Sequence, residues 1–217
     1  MAYDKARSVN GVALRVSRLD ADGFILPGSN TVYTQKAFMS FQFTPEMEEG
    51  EEITEKNADG SICYSSQERS TLKRVTLSLS VCSPDPELEE LLLGGTIFKG
   101  DGDEVLGYAS PEAGEVANPD GIAIEAWSRA LNSSGKPIAG AGYYHWVFPY
   151  GAFAPSGDRV MENGLMANEY EGWAVGNENF GSGPDGSWAF TSASPYQYAR
   201  AATAPVNQEG YSDYLGS

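Results

Sequence analysis

The sequence is short of the residues that carry most site chemistry. Among 217 residues it has one histidine, His145, and two cysteines, Cys63 and Cys82. Two cysteines are too few for a disulfide scaffold and neither stands at a metal-ligand spacing from the histidine, so both read as ordinary buried or strand thiols. A Ser-His-Asp or Cys-His site has only His145 to draw on, and that residue sits in an aromatic run that suits a core or an interface better. GSGPDG at residues 181–186 lacks the lysine, the preceding strand and the following helix of a phosphate-cradling loop. The 30 acidic residues offer so many carboxylate pairs that no glycosidase-like pair stands out. No apolar run approaches the length of a membrane helix, and the N-terminus MAYDKARSVN has no segment resembling a secretion signal. The expectation is a protein without catalytic residues, cofactor or metal, not inserted in a membrane and made in a cytoplasm.

Basic residues are also scarce, 14 against 30 acidic, for a formal charge of −16. Such a balance excludes a conventional nucleic-acid binder, which must neutralise phosphates and release counterions. It does not exclude a protein that lets DNA pass, because an acidic surface repels the backbone and favours sliding over sticking. Solubility alone is the plainer reading of the excess.

The best-defined stretch spans residues 71–95, TLKRVTLSLSVCSPDPELEELLLGG. Val75, Leu77, Leu79 and Val81 alternate with Arg74, Thr76, Ser78 and Ser80, the pattern of a half-buried strand. A helix over 85–93 follows. Asp85 is its N-cap, Pro86 its first residue, Glu87, Glu89 and Glu90 lie at the positive end of its dipole, and Gly94 stops it. Leu88, Leu91 and Leu92 form its apolar stripe.

Residues 11–19 read as a first strand and 20–31 as a surface connection rich in turn residues. Met39, Phe41 and Phe43 alternate with Ser40, Gln42 and Thr44 in a second strand ending at Pro45. Residues 45–70 are acidic and poor in apolar content, either a loop or a hairpin of 52–56 with 61–65 standing out from the body. Asp101, Asp103 and Glu104 in a glycine-rich turn raise the question of calcium, but the twelve-residue loop spacing is missing and a plain acidic turn is favoured. Ile122, Ile124 and Ala126 alternate with Glu125 and Trp127. Residues 143–148 are aromatic on both faces, which implies a strand buried on both sides or one buried against the core and packed against a partner subunit, and 165–175 holds a further strand. From 176 to 217 the chain lacks a period, yet Tyr196, Tyr198, Tyr211 and Tyr214 are more aromatic content than a free tail carries. Docking on a neighbouring subunit is expected there, beside a body of residues 1–175.

The order SRLDADG, FMSFQFTPEMEEGEEITEKNADGSICYSS, TLKRVTLSLSVCSPDPELEELLLGG, over roughly residues 12–98, resembles the major tail tube proteins of long-tailed phages, especially those infecting actinobacteria. The resemblance implies a mainly β fold, a sandwich or barrel flanked by one short helix, with a projecting hairpin or loop. It also implies self-assembly into stacked hexameric rings whose inner strands form a channel for DNA delivery, in a virion tail assembled in the host cytoplasm. Its partners would be copies of itself, a tape-measure protein, a tail terminator and tail-tip proteins, with double-stranded DNA passing unbound; tube and terminator roles share the fold. On this reading 45–70 is the stacking arm, with Glu48, Glu49, Glu51, Glu52, Glu55 and Lys56. Ser40, Gln42, Thr44, Arg74, Thr76, Ser78 and Ser80 are candidates for the lumen or a subunit contact, and Asp85, Leu88, Leu91 and Leu92 belong to the flanking helix. Two other classes compete. A host-surface or carbohydrate-binding β-sandwich on a virion or cell would need an exposed aromatic cluster around 143–153, and an acidic hydrolase would need a cleft with a carboxyl of raised pKa.

Overall fold

The computed structural model describes residues 6–102, 104–116, 118, 120–159, 166–184, 188, 190, 193–205 and 209–214. Its elements are β1 (Arg7–Arg18), β2 (Gly28–Gln35), β3 (Phe38–Glu48), β4 (Glu52–Lys56), β5 (Ile62–Gln67), β6 (Thr71–Val81), α1 (Pro86–Leu93), β7 (Thr96–Lys99), β8 (Val105–Ala109), β9 (Ile122–Leu131), β10 (Tyr143–Ser156), β11 (Asn168–Val175), β12 (Gln197–Ala201) and β13 (Gly210–Tyr214). The fold is mainly β, with one short helix and a large antiparallel sheet.

That sheet runs β13-β2-β1-β9-β10-β11-β6-β3, with β12 also on β10. Strand β10 belongs to two layers. Its first half, up to Phe148, lies between β9 and β12, and its second half, from Tyr150, pairs with β11. A register shift between Phe148 and Gly151 marks the passage from one to the other, the kind of irregularity by which a strand bends. The layers close on one core. Leu14, Val16, Ile122, Ile124 and Phe148 come from the first, and Val75, Leu77, Leu79, Tyr170 and Ala174 from the second. Phe41 meets Phe148 edge to face at 5.5 Å, and Phe43 lies 5.1 Å from Trp146.

Helix α1 covers the core with Leu88, Leu91, Leu92 and Leu93. Its start is held as its sequence predicts: the Asp85 carboxylate accepts from Leu88 N at 3.2 Å, and Gly94 stops the helix at φ 73°, a left-handed conformation natural to glycine. Three tyrosines from three strands then donate to its carboxylates. Tyr33 hydroxyl bonds Asp85 at 2.5 Å, Tyr211 bonds Glu90 at 2.5 Å and Tyr170 bonds Glu89 at 2.9 Å, with Arg18 on Glu90 and Arg159 on Glu89.

A second cluster lies on the other side of the first layer, where Leu19, Ile25, Ala123 and Val147 are covered by Phe180 and Phe190, with Trp188 packed against them. The described residues after 175 thus pack on the chain's own sheet, β12 pairing with β10 and β13 with β2.

Several local expectations are corrected. The first strand begins at Arg7 rather than residue 11. The expected connection over 20–31 ends early, because β2 starts at Gly28; its buried residues include Thr31, Thr34 and Gln35, which carry no hydrophobic alternation. Strand β3 continues through Pro45 to Glu48, since a proline is tolerated on a strand with one open edge. A register shift between Phe38 and Ser40 turns Met39 out of the aromatic face, leaving it 57% exposed while Phe38 packs inward. Cys63 is exposed and Cys82 half-buried. The strand expected over 165–175 is β11; residue 165 and the end of the 181–186 loop lie outside the described residues.

Candidate assembly surfaces

Alternation on β6 sends Val75, Leu77, Leu79 and Val81 into the core, so the residues between them face out together. Antiparallel register then builds a ladder: Ser80 opposite Ser40, Ser78 opposite Gln42, Thr76 opposite Thr44 and Arg74 opposite Glu46. All seven polar strand residues singled out in the sequence therefore share one face. On the other side of β6 the ladder continues through Glu169, Glu171 and Trp173 of β11, which sequence reading did not single out. Alternation of Glu169 and Glu171 with buried Tyr170 was the available signal. The result is a four-stranded wall, β3-β6-β11-β10, apolar inside and lined outside by hydroxyls, an amide and carboxylates. Arg74 Nε bonds Glu46 at 2.5 Å, and this bond holds the Glu46 carboxyl below its usual range. Among the described residues β3 pairs only with β6, and residues 152–156 of β10 only with β11, so both margins of the wall have an unpaired edge.

Strands β4 and β5 form a hairpin whose extensive packing is with each other alone. Its turn is fixed locally: Asn57 N donates to Ser61 O at 2.7 Å and the Asp59 carboxylate accepts from Ser61 N at 2.9 Å. At its base Glu68 N donates to Glu51 O at 3.0 Å, and Gly50 sits so close to the Glu68 carbonyl that a Cβ there has no room. Glu48 ends β3, Glu49 and Glu51 lie in the neck, and Glu52, Glu55 and Lys56 lie on β4, all exposed. The hairpin also exposes Ile53, Ile62 and Tyr64, at 42%, 62% and 54%.

Of the expected helix residues, Asp85 caps α1, and Leu88, Leu91 and Leu92 point into the core.

His145 belongs to a buried ion network. Arg15 grips Glu125 with two bonds of 2.7 and 2.8 Å, and His145 Nε2 lies 2.9 Å from the same carboxylate. Trp127 stacks on the imidazole at 4.0 Å and Trp188 meets it edge-on at 4.9 Å. Burial raises the Glu125 pKa, but the Arg15 charge, reinforced by bonds from His145 and Arg15, outweighs it and holds the carboxyl below its usual range. Arg15, Glu125 and His145 are each at most 5% exposed, so no substrate reaches them. The network ties β1, β9 and β10 together. Nothing local announced it, because Arg15 and Glu125 are 110 residues apart.

The aromatic run after residue 143 faces inward for the most part, with Tyr144, Phe148 and Phe153 buried, which removes the exposed cluster that sugar stacking requires. Tyr198 remains exposed, stacked on Trp146 at 4.5 Å. The acidic turn at 101–104 joins β7 to β8, with Gly100 N donating to Glu104 O at 2.8 Å; Asp103 lies outside the described residues. Among the described residues no group of three or more His, Cys, Asp or Glu is placed to hold a metal.

No protein-family profile matches the chain, and a comparison with curated proteins gives no match. Among solved structures, the chain is similar to one from the PVC sheath-tube complex, in the extended state, of an extracellular contractile injection system. That match has 10% identity over 76% of this chain and 86% of the other, with a TM-score of 0.32. It is also similar to the tube terminating cap of the anti-feeding prophage, at 10% identity over 93% of this chain and 97% of the other, with a TM-score of 0.34.

Proposed function

We propose that this chain is a structural tube subunit, the repeated unit of a phage tail tube, and that it works by self-assembly. The observation that carries the reading is the four-stranded wall. One face is sealed against the core, the other is a mostly polar ladder of Ser, Thr, Gln and Glu with Arg74 and Trp173 at one end, and both margins offer unpaired edges. Joining the β3 edge of one copy to the residue 152–156 edge of the next extends the wall into a closed barrel and removes the edges that would otherwise aggregate.

The size suits the task. Six copies of four strands at about 4.8 Å spacing, tilted by about 40° to the barrel axis, give a circumference of about 150 Å and, after the side-chain layer, a bore of about 35 Å, wide enough for a DNA duplex. Six is the number implied by the sequence resemblance. Hydroxyl and carboxylate groups on that bore would pass a phosphate backbone without holding it.

The hairpin of β4 and β5 is the stacking arm between rings, and the segment 176–217, whose described part covers the chain's own sheet, meets a neighbouring subunit through its outer side, with Tyr198 as the exposed contact. A tape-measure protein, a terminator and tail-tip proteins are the remaining partners. The place of action is the virion tail, after assembly in the host cytoplasm.

Negative-stain electron microscopy with light scattering, over a range of concentrations, tests the assembly; rings or hollow tubes are expected. Deleting residues 50–66 should leave a folded β domain by circular dichroism that forms no tubes. Normal tubes from the deletion would remove the stacking role.

A further inference from the structure

The acid in this chain is unevenly placed. Of 30 acidic residues none falls within 5–19 or 126–157, although these stretches hold six of the 14 basic ones. The fold brings them together. Arg7 pairs with Leu131, and Val9 with Arg129, which in turn faces Tyr143. Beyond β9 the chain turns tightly, the Asn132 side-chain oxygen accepting from Ser134 N at 3.0 Å and Lys136 N at 2.9 Å, which returns Lys136 to the same end. Arg7, Arg129 and Lys136 are exposed, and none forms an ion pair among the described residues. Arg129 lines a groove of 330 Å³ together with Asn10, Leu131, Tyr143 and, from the turn that carries Lys136, Gly135 and Pro137.

The hairpin has the complementary character. Residues 45–70 hold eight acidic and two basic residues, and Ile53, Ile62 and Tyr64 on its strands have no apolar cover from the chain's other strands.

We infer that the acid-free basic end is the acceptor for the β4–β5 hairpin of a second copy, whose Ile53, Ile62 and Tyr64 enter the groove while Glu55, opposite Tyr64 on that same face, and Glu51 at its base face Arg7, Arg129 and Lys136. This rests on the reading of the hairpin as a stacking arm and names its docking surface. In a protein of charge −16, copies repel one another at long range, and a local match of opposite charge sets the one approach that is attractive. The contact is heterologous, arm to end, so it propagates instead of closing on a pair.

Cys63 on β5 gives a native probe. In a chain with Cys82→Ser, a Ser134→Cys substitution places a second thiol beside Lys136. Treatment with a short bis-maleimide should then give a ladder of covalent dimers, trimers and higher species, whereas Cys63 alone yields dimers at most. Raising salt from about 0.1 to 0.5 M should cut the cross-linking rate at least fivefold, because contacts between exposed charges are screened. Arg129→Glu with Lys136→Glu should abolish the ladder, and Glu51→Lys with Glu55→Lys in the same chain should restore it, an outcome that misfolding does not mimic.

Absence of the ladder at every concentration overturns the proposal, as does a ladder unaffected by charge reversal. If charge reversal leaves tubes intact while deletion of 50–66 abolishes them, the acceptor is elsewhere and the stacking arm stands. If the deletion also leaves tubes, the arm assignment itself falls. Retention of duplex DNA by the monomer, lost on Arg129→Glu with Lys136→Glu, would make this end a phosphate contact and overturn the docking assignment.

Discussion

Glu125 is the residue on which the first layer most depends. It is fully enclosed and carries the charge of Arg15 and the hydrogen bond of His145. Removing one member of such a group leaves an uncompensated buried charge, which costs about 3–5 kcal/mol. Glu125→Gln should therefore lower stability by about 3 kcal/mol in urea unfolding at neutral pH. A value within ordinary surface-substitution range would show that water reaches the site. Because the folded Glu125 pKa is depressed, its stabilisation is present above the unfolded carboxylate value, about 4.3, and is lost as pH falls through that value toward the folded one. Acid unfolding should start below about pH 4.5 and be less steep in Glu125→Gln, as read by near-ultraviolet circular dichroism.

Helix α1 shows the same logic with the opposite sign. Burial, then the bonds to Asp85, Glu89 and Glu90, raise the pKa values of Tyr33, Tyr170 and Tyr211 well above the usual phenol value. A raised folded pKa means stability that is complete below the unfolded value, about 10, and lost as pH rises beyond it. Thermal stability should thus fall sharply between about pH 10 and 11, and the triple Tyr→Phe variant, less stable at pH 8, should change less over that interval. An equal loss in both proteins would assign the alkaline transition to other groups.

Legibility in the sequence differed by element for physical reasons. The strand and helix of residues 71–95 could be read because alternation, cap, dipole and stop residue all agree locally. The β4–β5 hairpin is one of two readings, loop or hairpin, suggested by its turn and its low apolar content, and β4 has the expected bounds. Strand β2 could not, because the buried Thr31, Thr34 and Gln35 erase its period. Met39 was misplaced because one extra residue at a bulge reverses facing. Phe180 and Phe190 cover a sheet from segments with no strand or α-helical period. The polar wall was half legible: β3 and β6 gave its hydroxyls, while Glu169 and Glu171 joined it only through pairing of strands distant in sequence.

At the scale of the molecule, charge and shape point the same way. An acidic wall in a tube should neither bind nor retard DNA, so purified assemblies should show no retention of double-stranded DNA at physiological salt in a filter or gel assay. Tight binding would place the basic residues on the bore instead.

One strand decides how such an assembly would respond to load. Because β10 is continuous through both layers, the polar wall and the layer behind it are joined by covalent backbone as well as by packed side chains. A pull along the wall, such as a genome leaving under pressure would exert, runs from β11 through Gly151 into the pairing of β9 and β12, in shear against hydrogen bonds. The polar wall therefore has no slip plane at that strand along which it could peel from the layer behind it.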